Sequence, residues 1–268
     1  MKAVVTGANG FIGGNLMRRL ISDGNYVMPI EKDILESPIW KDTLTNRLDN
    51  DKPDVVFHLG AITDTLATDV NEVMLHNYDF TYGLALWCSV NNVPFIFSSS
   101  ASIYNHNKSL YAWSKQCAES IVSELGGISL RYFNVYGGGE ENKGAMASIM
   151  YQGWLKHLQG EEVLLFPSKP QRDFIYIDDV IDANLHAFKN YADLKRIHVG
   201  AYDVGIGEAN SFERVMELMG FKYKVCDVWK AIPKYYQWYT LAFESRFLPD
   251  WKPKFTLEQG TQAYLQYL

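Results

Sequence analysis

Short apolar runs alternate along this chain with longer stretches in which apolar residues recur every three or four positions. The first run, residues 3–6, is followed by a glycine-rich turn and then by apolar residues at Ile12, Leu16 and Leu20. A short continuous apolar run is consistent with a buried strand, and a spacing of three or four residues is typical of a helix packed on one face. The pattern therefore predicts a strand, a turn and a helix in that order.

The same alternation continues through the first half of the chain and predicts an α/β fold. Further apolar runs that predict strands lie at residues 26–30, 54–61, 93–97 and 128–133, with helical spacing between them. Residues 32–53 predict one amphipathic helix and no convincing strand, so the third strand is expected to be shortened or lost. Strands that alternate with helices favour a parallel sheet covered on both faces. We expect a Rossmann-type, doubly wound parallel sheet.

The pattern changes beyond Val135. A charged, glycine-rich loop leads to a predicted helix at residues 146–158, and residues 172–179 return to a strand-to-helix pattern. Asp178 or Asp179 is expected to cap the helix that follows, since aspartate is a favoured N-cap residue.

These changes divide the chain into two predicted parts. Residues 1–135, together with residues 173–203, are assigned to the Rossmann domain, and residues 136–172 and 204–268 to a small C-terminal lobe that is expected to bind a substrate. No internal repeat, low-complexity segment or linker separates them.

Three glycines follow the first strand, at Gly7, Gly10 and Gly13. Glycine lets a backbone turn sharply and approach a pyrophosphate, whose charge the N-terminus of the next helix stabilises. A tight structural turn could use the same residues, but the position between the first strand and its helix favours nucleotide binding. Phe11 and Ile12, in the same turn, are also candidate cofactor-binding residues.

The second predicted strand ends at Glu31, about 20 residues beyond the glycine loop, where an acidic residue can accept hydrogen bonds from an adenosine ribose. That arrangement favours NAD. Lys32 beside it could instead contact the 2′-phosphate of NADP, so both cofactors remain alternatives at this stage. Asp33 is grouped with these two as a candidate.

Small residues end the predicted strand at 54–61. They leave room for a flat cofactor to lie against the backbone. The candidates there are Leu59, Gly60 and Ala61.

A tyrosine followed four positions later by a lysine is the candidate for proton transfer. The spacing occurs three times, but the copy at Tyr104 runs through Asn-His-Asn, poor helix formers, and the copy at Tyr191 is expected at a frayed helix end. Only Tyr111 opens a run with helical spacing. Lys115 would share its face, lower its pKa and let it exchange a proton with a substrate hydroxyl. Without its neighbouring motifs, the pair favours an exposed helix tyrosine over a catalytic one.

Composition excludes several functional classes. The net charge of −6 without a basic cluster argues against nucleic acid, and no apolar run approaches the ~18 residues of a membrane-spanning helix. Three scattered cysteines and six unclustered histidines predict no metal site. The chain enters its first strand directly after Met1, so we expect no signal peptide and a cytoplasmic protein.

Several motifs in order resemble the extended short-chain dehydrogenase/reductases that act on nucleotide sugars. Within that family the chain is most similar to the branch that epimerises heptose nucleotides, on residues 143–148, 236–240 and 254–260. The motifs that carry the family resemblance are Thr6-Gly-x-x-Gly-x-x-Gly13, His58-Leu-Gly-Ala61, Asn77, Ser98-Ser-Ser100, Tyr111-x-x-x-Lys115, Arg131-Tyr-Phe-Asn-Val-Tyr-Gly137 and Arg172-Asp-Phe-x-Tyr-x-x-Asp179.

The resemblance implies a role for each matching residue. Ser100 and Tyr111 would be the catalytic hydroxyls, Lys115 would bind the nicotinamide ribose, and Lys143 would be a second acid/base group. Asn77 and Ser98 would belong to the cofactor site. The implied substrate-binding residues are Asn134, Ala145, Gln152, Phe166, Arg172 and Tyr236.

The family further implies a bound NAD or NADP, a nucleotide-diphosphate sugar as substrate and a homo-oligomer. Two departures affect the substrate: the chain is shorter than that branch would lead one to expect, and Ala145 and Gln152 stand where it has serine and histidine. A nucleotide-sugar 4-epimerase, a keto-sugar reductase and a non-catalytic nucleotide-binding protein are therefore kept as alternatives. A 4,6-dehydratase is disfavoured, because Ser100-Ala-Ser102 replaces the Thr-Asp-Glu of those enzymes.

Overall fold

A computed structural model describes residues 1–105, 108–197, 200–227 and 236–268. The strands are β1 (Lys2–Thr6), β2 (Tyr26–Ile30), β3 (Val55–His58), β4 (Phe95–Ser100), β5 (Ile128–Tyr132), β6 (Asn134–Tyr136), β7 (Val163–Leu165), β8 (Gln171–Tyr176), β9 (Ala201–Val204), β10 (Ala209–Ser211) and β11 (Tyr223–Val225). The helices are α1 (Phe11–Ser22), α2 (Trp40–Asp51), α3 (Val70–Met74), α4 (Phe80–Asn91), α5 (Leu110–Glu124), α6 (Ile149–Leu158), α7 (Ile177–Lys189), α8 (Tyr191–Arg196), α9 (Phe212–Met219) and α10 (Leu257–Tyr267).

The central sheet is parallel and six-stranded, in the order β2-β1-β3-β4-β5-β9. It confirms the predicted Rossmann-type α/β fold. The fully described stretch between β2 and β3 contains a short 3₁₀ segment, Lys32–Glu36, and α2, but no strand. The expected loss of the third strand is therefore confirmed, and β2 is an edge of the sheet.

The apolar strands separate two hydrophobic cores. Successive residues of a strand point to opposite faces, so Val4 and Val56 pack on one side with α2 and α4, while Val5 and Phe57 pack on the other with α1 and α7. Burial on both faces explains why these strands are continuously apolar rather than alternating.

The second part of the chain forms smaller sheets beside the carboxyl ends of the central strands. β10, β8 and β6 form a three-stranded sheet, and β11 pairs with β7. Residues 173–203 are divided between the two parts, because β8 belongs to the small sheet while α7 packs on α1 and β9 completes the central sheet. The division into two domains stays a prediction.

One predicted cap is wrong. α7 begins at Ile177 with Tyr176 at its N-cap, so Asp178 and Asp179 lie in its first turn. The Asp179 carboxylate instead accepts hydrogen bonds from the backbone N–H groups of Lys254 and Phe255, 2.9 and 3.1 Å away. The Asp179 carboxylate therefore bonds to backbone groups 75 and 76 residues away in sequence instead of capping α7.

Candidate active site

A cavity of about 960 Å³ opens where the central strands end, between the Rossmann sheet and the lobe. Its walls include the glycine loop, the ends of β2, β3 and β4, the start of α5, and residues of the lobe around α6 and β8. Ligands of doubly wound folds bind at this end of the sheet. The cavity is therefore the candidate active site.

The glycine loop is shaped by close backbone contacts. Gly7 has φ +64, and a Cβ on it would lie 2.7 Å from the Gly60 Cα; a Cβ on Gly13 would lie 2.2 Å from the Gly7 carbonyl oxygen. Gly10 lines the cavity and is the N-cap residue of α1, where it has no side chain that could bond to the first N–H groups of the helix. The first amides of α1 thus lack a side-chain partner, as a pyrophosphate site requires. This cradle fits NAD or NADP.

Replacing Gly10 by valine should abolish cofactor binding while the fold survives. Gly10 has φ −83, which any residue adopts, and an added Cβ meets only the Gly7 oxygen, at 3.1 Å. The larger side chain therefore enters the cavity. Cofactor released on denaturation is the measurement. Gly14→Val is the matched control, since its Cβ also lies 3.1 Å from a backbone oxygen but outside this cavity. A folded Gly10→Val protein with normal cofactor content would contradict the assignment.

Glu31 and Lys32 line the cavity at the end of β2. The Glu31 carboxylate accepts the backbone N–H of Asn9 at 2.9 Å, which ties it to the glycine loop. Asp33 is exposed and does not line the cavity. Of the two acids there, Glu31 is therefore the one that lines the cavity.

Leu59, Gly60 and Ala61 form the cavity wall at the end of β3. Their position is held by Thr6, whose hydroxyl oxygen accepts the N–H groups of Leu59 and Gly60 at 3.1 and 3.0 Å. His58 is buried and bonds to the same hydroxyl, 2.6 Å away. Burial, aided by the charge of Lys115, keeps the pKa of His58 well below its usual value. Thr6 and His58 stood in the family motifs, but sequence reasoning assigned them no role.

Asn77 is buried behind this wall rather than in the cavity. It lies in a π-helical turn, Leu75–Asp79, between α3 and α4. Its side-chain oxygen accepts from the Ile62 N–H at 2.8 Å, and its amide donates to the Ile62 carbonyl and to the Ser114 hydroxyl. Asn77 thus connects the cofactor-side loop to α5.

The proposed proton-transfer groups meet at the end of β4. Tyr111 is hydrogen-bonded to Ser100, which opposes the upward shift that burial gives the pKa of Tyr111. Lys115 is buried, and its ammonium donates to the Ser98 carbonyl at 2.7 Å. Burial lowers the pKa of Lys115 to about 7. All four residues line the cavity.

The other two tyrosines with this spacing are placed elsewhere. The Tyr104 hydroxyl donates to Asp203 at 2.6 Å and is bonded to Arg131, and the Tyr191 hydroxyl donates to the Gly126 carbonyl. Neither tyrosine lines the cavity. Residues 106 and 107, in the turn expected after Tyr104, lie outside the described residues.

Lys143 approaches the cavity from the loop after β6. Its ammonium lies 3.7 Å from the Glu140 carboxylate and 4.8 Å from the centre of the Phe11 ring. Burial lowers the pKa of Lys143, and the charge of Glu140 opposes that shift. Tyr111 and Lys143 therefore reach one cavity from two separate elements.

The residues expected to hold a diphosphate and its nucleotide lie together on the lobe side. Arg172 is buried, with its guanidinium 5.2 Å from the Tyr236 ring, and Tyr236 packs on Phe166 at 4.6 Å between ring centres. Asn134 is bonded to the Thr240 hydroxyl. Burial lowers the pKa of Arg172 from its usual value.

Gln152 and Ala145 line the same side of the cavity. The Gln152 amide donates to the carbonyl groups of Ala145 and Ala147, 3.1 and 2.8 Å away. Its own carbonyl oxygen is thereby left as the group that can accept from a ligand.

Charge in the cavity is opposite to that of the whole chain. Among the described lining residues, Glu31 is the one acid, and the cationic side chains are Lys32, Lys115, Lys143 and Arg172. A positively charged cleft favours phosphorylated ligands. The structure contains, within the described ranges, no group of His, Cys, Asp and Glu able to hold a metal ion. Nor does any described helix have the length and apolarity to cross a bilayer.

Comparison with known proteins identifies the family. Residues 3–205 match the model of the NAD dependent epimerase/dehydratase family. An ADP-L-glycero-D-manno-heptose-6-epimerase of Brachyspira hyodysenteriae is 28% identical over 99% of this chain and 97% of its own. Another, of Cupriavidus pinatubonensis, is 33% identical over 80% of this chain and 76% of its own.

Solved structures agree with the sequence matches. The crystal structure of Helicobacter pylori ADP-L-glycero-D-manno-heptose-6-epimerase has a TM-score of 0.84 and 26% identity, over 99% of this chain and 95% of that chain. The prediction made from the motifs is thereby confirmed. This chain is an enzyme of the extended short-chain dehydrogenase/reductases and belongs to the NAD-dependent epimerase/dehydratase family.

Proposed function

We propose that the protein is a nucleotide-sugar epimerase that inverts one carbon of an ADP-activated heptose by transient oxidation. The observation that carries the proposal is that one cavity combines a dinucleotide cradle with two proton-transfer groups, Tyr111 on α5 and Lys143 on the loop after β6. The heptose is supported by the names of relatives that match nearly the whole chain.

Tyr111 serves the first half of the reaction. Its phenol is bonded to Ser100, so a sugar hydroxyl placed beside Ser100 also meets the group that takes its proton. Burial raises the pKa of Tyr111, and the hydrogen bond from Ser100 opposes that rise and so favours the ionised phenol. Bound NAD or NADP supplies a reversible store for the hydride of the same carbon, so the overall reaction has no net redox change.

Lys143 serves the other orientation of the sugar. Inversion requires that the ketone present first one face and then the other to the nicotinamide, and one acid/base group cannot easily serve both geometries. Lys143 comes to the cavity from a different element. It is placed to exchange the proton of the turned sugar.

The lobe holds the nucleotide diphosphate. Arg172 and Asn134 provide a guanidinium and an amide for the phosphate oxygens, and Phe166 and Tyr236 provide aromatic surface beside them. Ala145 leaves more space near the sugar than the serine of the heptose branch, and Gln152 offers a carbonyl oxygen instead of an imidazole.

Incubation of the purified holoprotein with ADP-heptose and, separately, with UDP-hexoses tests the proposal. Proton NMR should show inversion of the heptose without added cofactor and no change in the hexoses. Inversion of a hexose at C4 would make the protein a 4-epimerase, and net consumption of cofactor would make it a keto-sugar reductase. If neither class of sugar changes, the proposed substrate is wrong.

NAD rather than NADP should be released when the protein is denatured. Glu31 lines the cavity at the end of β2, and its carboxylate would accept hydrogen bonds from an adenosine ribose and repel a 2′-phosphate. Glu31→Ser should lower the preference for NAD about tenfold or more, the scale of losing a hydrogen bond to a charged group. Asp33→Asn, at the exposed neighbouring acid, should leave the preference unchanged. Release of NADP from the wild type would contradict the role of Glu31.

Two further predictions concern the oligomeric state and the cellular location of the protein. A homo-oligomer and a cytoplasmic location were expected from the sequence and its resemblance. Both stay predictions.

A further inference from the structure

A fully buried carboxylate, Glu140, lies under the loop that carries Lys143. Here the Lys143 loop means residues 137–148. The Glu140 side chain has no exposed surface, and carboxylates are almost never fully buried unless they are paired. None of the sequence motifs pointed to Glu140, and it does not line the cavity.

Glu140 joins the two ends of the Lys143 loop. One carboxylate oxygen accepts the Gly137 N–H at 3.1 Å and the Ser148 hydroxyl at 2.8 Å, and the other accepts the Ser148 N–H at 2.6 Å. Ser148 in turn caps α6, because its hydroxyl accepts the Tyr151 N–H. A single carboxylate therefore fixes the start of the loop, its end and the helix that follows.

The C-terminal helix supports the same carboxylate. Tyr264 of α10 is buried and hydrogen-bonded to Glu140, and burial together with the negative charge of Glu140 raises the pKa of Tyr264. Three residues later, the Tyr267 hydroxyl donates to Glu141 at 2.7 Å. The loop is thus attached to α10 at two adjacent positions.

Lys143 is the cation that faces Glu140. The distance from its ammonium nitrogen to the carboxylate is 3.7 Å, and its other neighbour is the Phe11 ring at the start of α1. The charged group that acts on Lys143 is Glu140, whereas Arg18 of α1 and Tyr267 of α10 act on the neighbouring Glu141. Glu140 is therefore the charged residue that favours the protonated form of Lys143, against the effect of burial.

We propose that Glu140 is the positioning residue for Lys143: it closes the loop and holds the ammonium at the cavity without touching the substrate itself. This inference rests on the proposed role of Lys143 in epimerisation. Substitutions can separate the two effects of Glu140, because one can remove its charge and another can loosen the loop while the charge remains.

Removal of the Glu140 charge should make Lys143 lose its proton at lower pH. A nearby negative charge favours the protonated amine, so its loss favours the neutral amine and lowers the pKa. Glu140→Gln should therefore shift the midpoint of Lys143 acylation by acetic anhydride, measured on the holoprotein by peptide mass spectrometry, to lower pH by about one unit. That shift corresponds to roughly tenfold faster labelling below the midpoint.

Two matched controls separate charge from structure. Glu141→Gln removes the adjacent charge, which is exposed and bonded to Tyr267, and should leave the Lys143 midpoint unchanged. Ser148→Ala loosens the same loop but keeps the Glu140 charge, and should also leave the midpoint unchanged. If Glu140→Gln fails to fold, Glu140→Asp, which withdraws the charge by one methylene, should shift the midpoint in the same direction but less.

The same shift should appear in catalysis. In Glu140→Gln the alkaline limb of kcat for inversion should move to lower pH with KM near normal, since the diphosphate contacts are elsewhere. A lower melting temperature with an unchanged labelling midpoint would show a merely structural residue and overturn the proposal. A shifted midpoint in a protein whose wild type inverts no heptose would defeat the proposed function but leave the positioning role standing.

Discussion

Tyr111→Phe should lower the rate of inversion by about 10²-fold or more, the scale of general acid/base catalysis. The ring remains to pack at the start of α5, while the hydroxyl that is bonded to Ser100 is lost. Cofactor content and substrate affinity should stay close to those of the wild type, because the cradle and the diphosphate residues are untouched. Steady-state kinetics together with cofactor release measures both effects.

Tyr104→Phe is the matched control for that variant. The Tyr104 phenol lies outside the cavity, where it is bonded to Asp203, Arg131 and Arg246. Its loss should reduce the free energy of unfolding by about 1–3 kcal/mol, the consequence of leaving buried polar groups unpaired, with turnover largely retained. A larger loss of turnover in Tyr104→Phe than in Tyr111→Phe would show that the wrong phenol has been chosen.

Lys143→Met should nearly stop inversion while KM stays near normal. The side chain keeps most of its apolar stem but loses the ammonium, and with it the contact with the Phe11 ring and the ion pair with Glu140. If Lys143 exchanges a proton only in the turned orientation of the sugar, its loss removes a transition-state interaction and appears in kcat rather than KM. Proton NMR of a heptose nucleotide follows the inversion directly.

The competing role for Lys143 is a simple phosphate contact. Loss of such a contact would raise KM and leave kcat largely intact. That result would favour a reductase or a 4-epimerase over the proposed function. Lys156→Met is a suitable control, because Lys156 is an exposed lysine of the same lobe that pairs with Glu161. It should change neither parameter.

The glycine loop that lines the cavity could be predicted from sequence because its determinants are local. Gly7, Gly10 and Gly13 follow one strand within seven residues. The need for glycine at Gly13 comes from the carbonyl group of Gly7 in the same turn. The absence of a strand between β2 and β3 could also be predicted, since the apolar spacing of residues 32–53 fits only one helix.

The parts that sequence reasoning missed depend on contacts between distant segments. Asp179 has the local spacing of a helix cap, yet its partners are the backbone groups of residues 254 and 255. Asn77 could be matched to a family motif, but its position behind the cavity wall comes from a π-helical turn. Glu140 is one of two adjacent acids in a charged, glycine-rich loop, and it is buried in contact with Tyr264 of the distant helix α10. Periodicity cannot show such partners.

Transient oxidation requires that the same hydrogen leave one carbon of the sugar and return to it. The most direct test is to incubate the holoprotein with ADP-heptose in D₂O, without added cofactor, and to follow the inverted carbon by proton NMR. We expect inversion with the carbon-bound hydrogen retained and no net change in nicotinamide absorbance, since the hydride is stored within the protein. Deuterium at the inverted carbon would show exchange with solvent and would contradict transient oxidation.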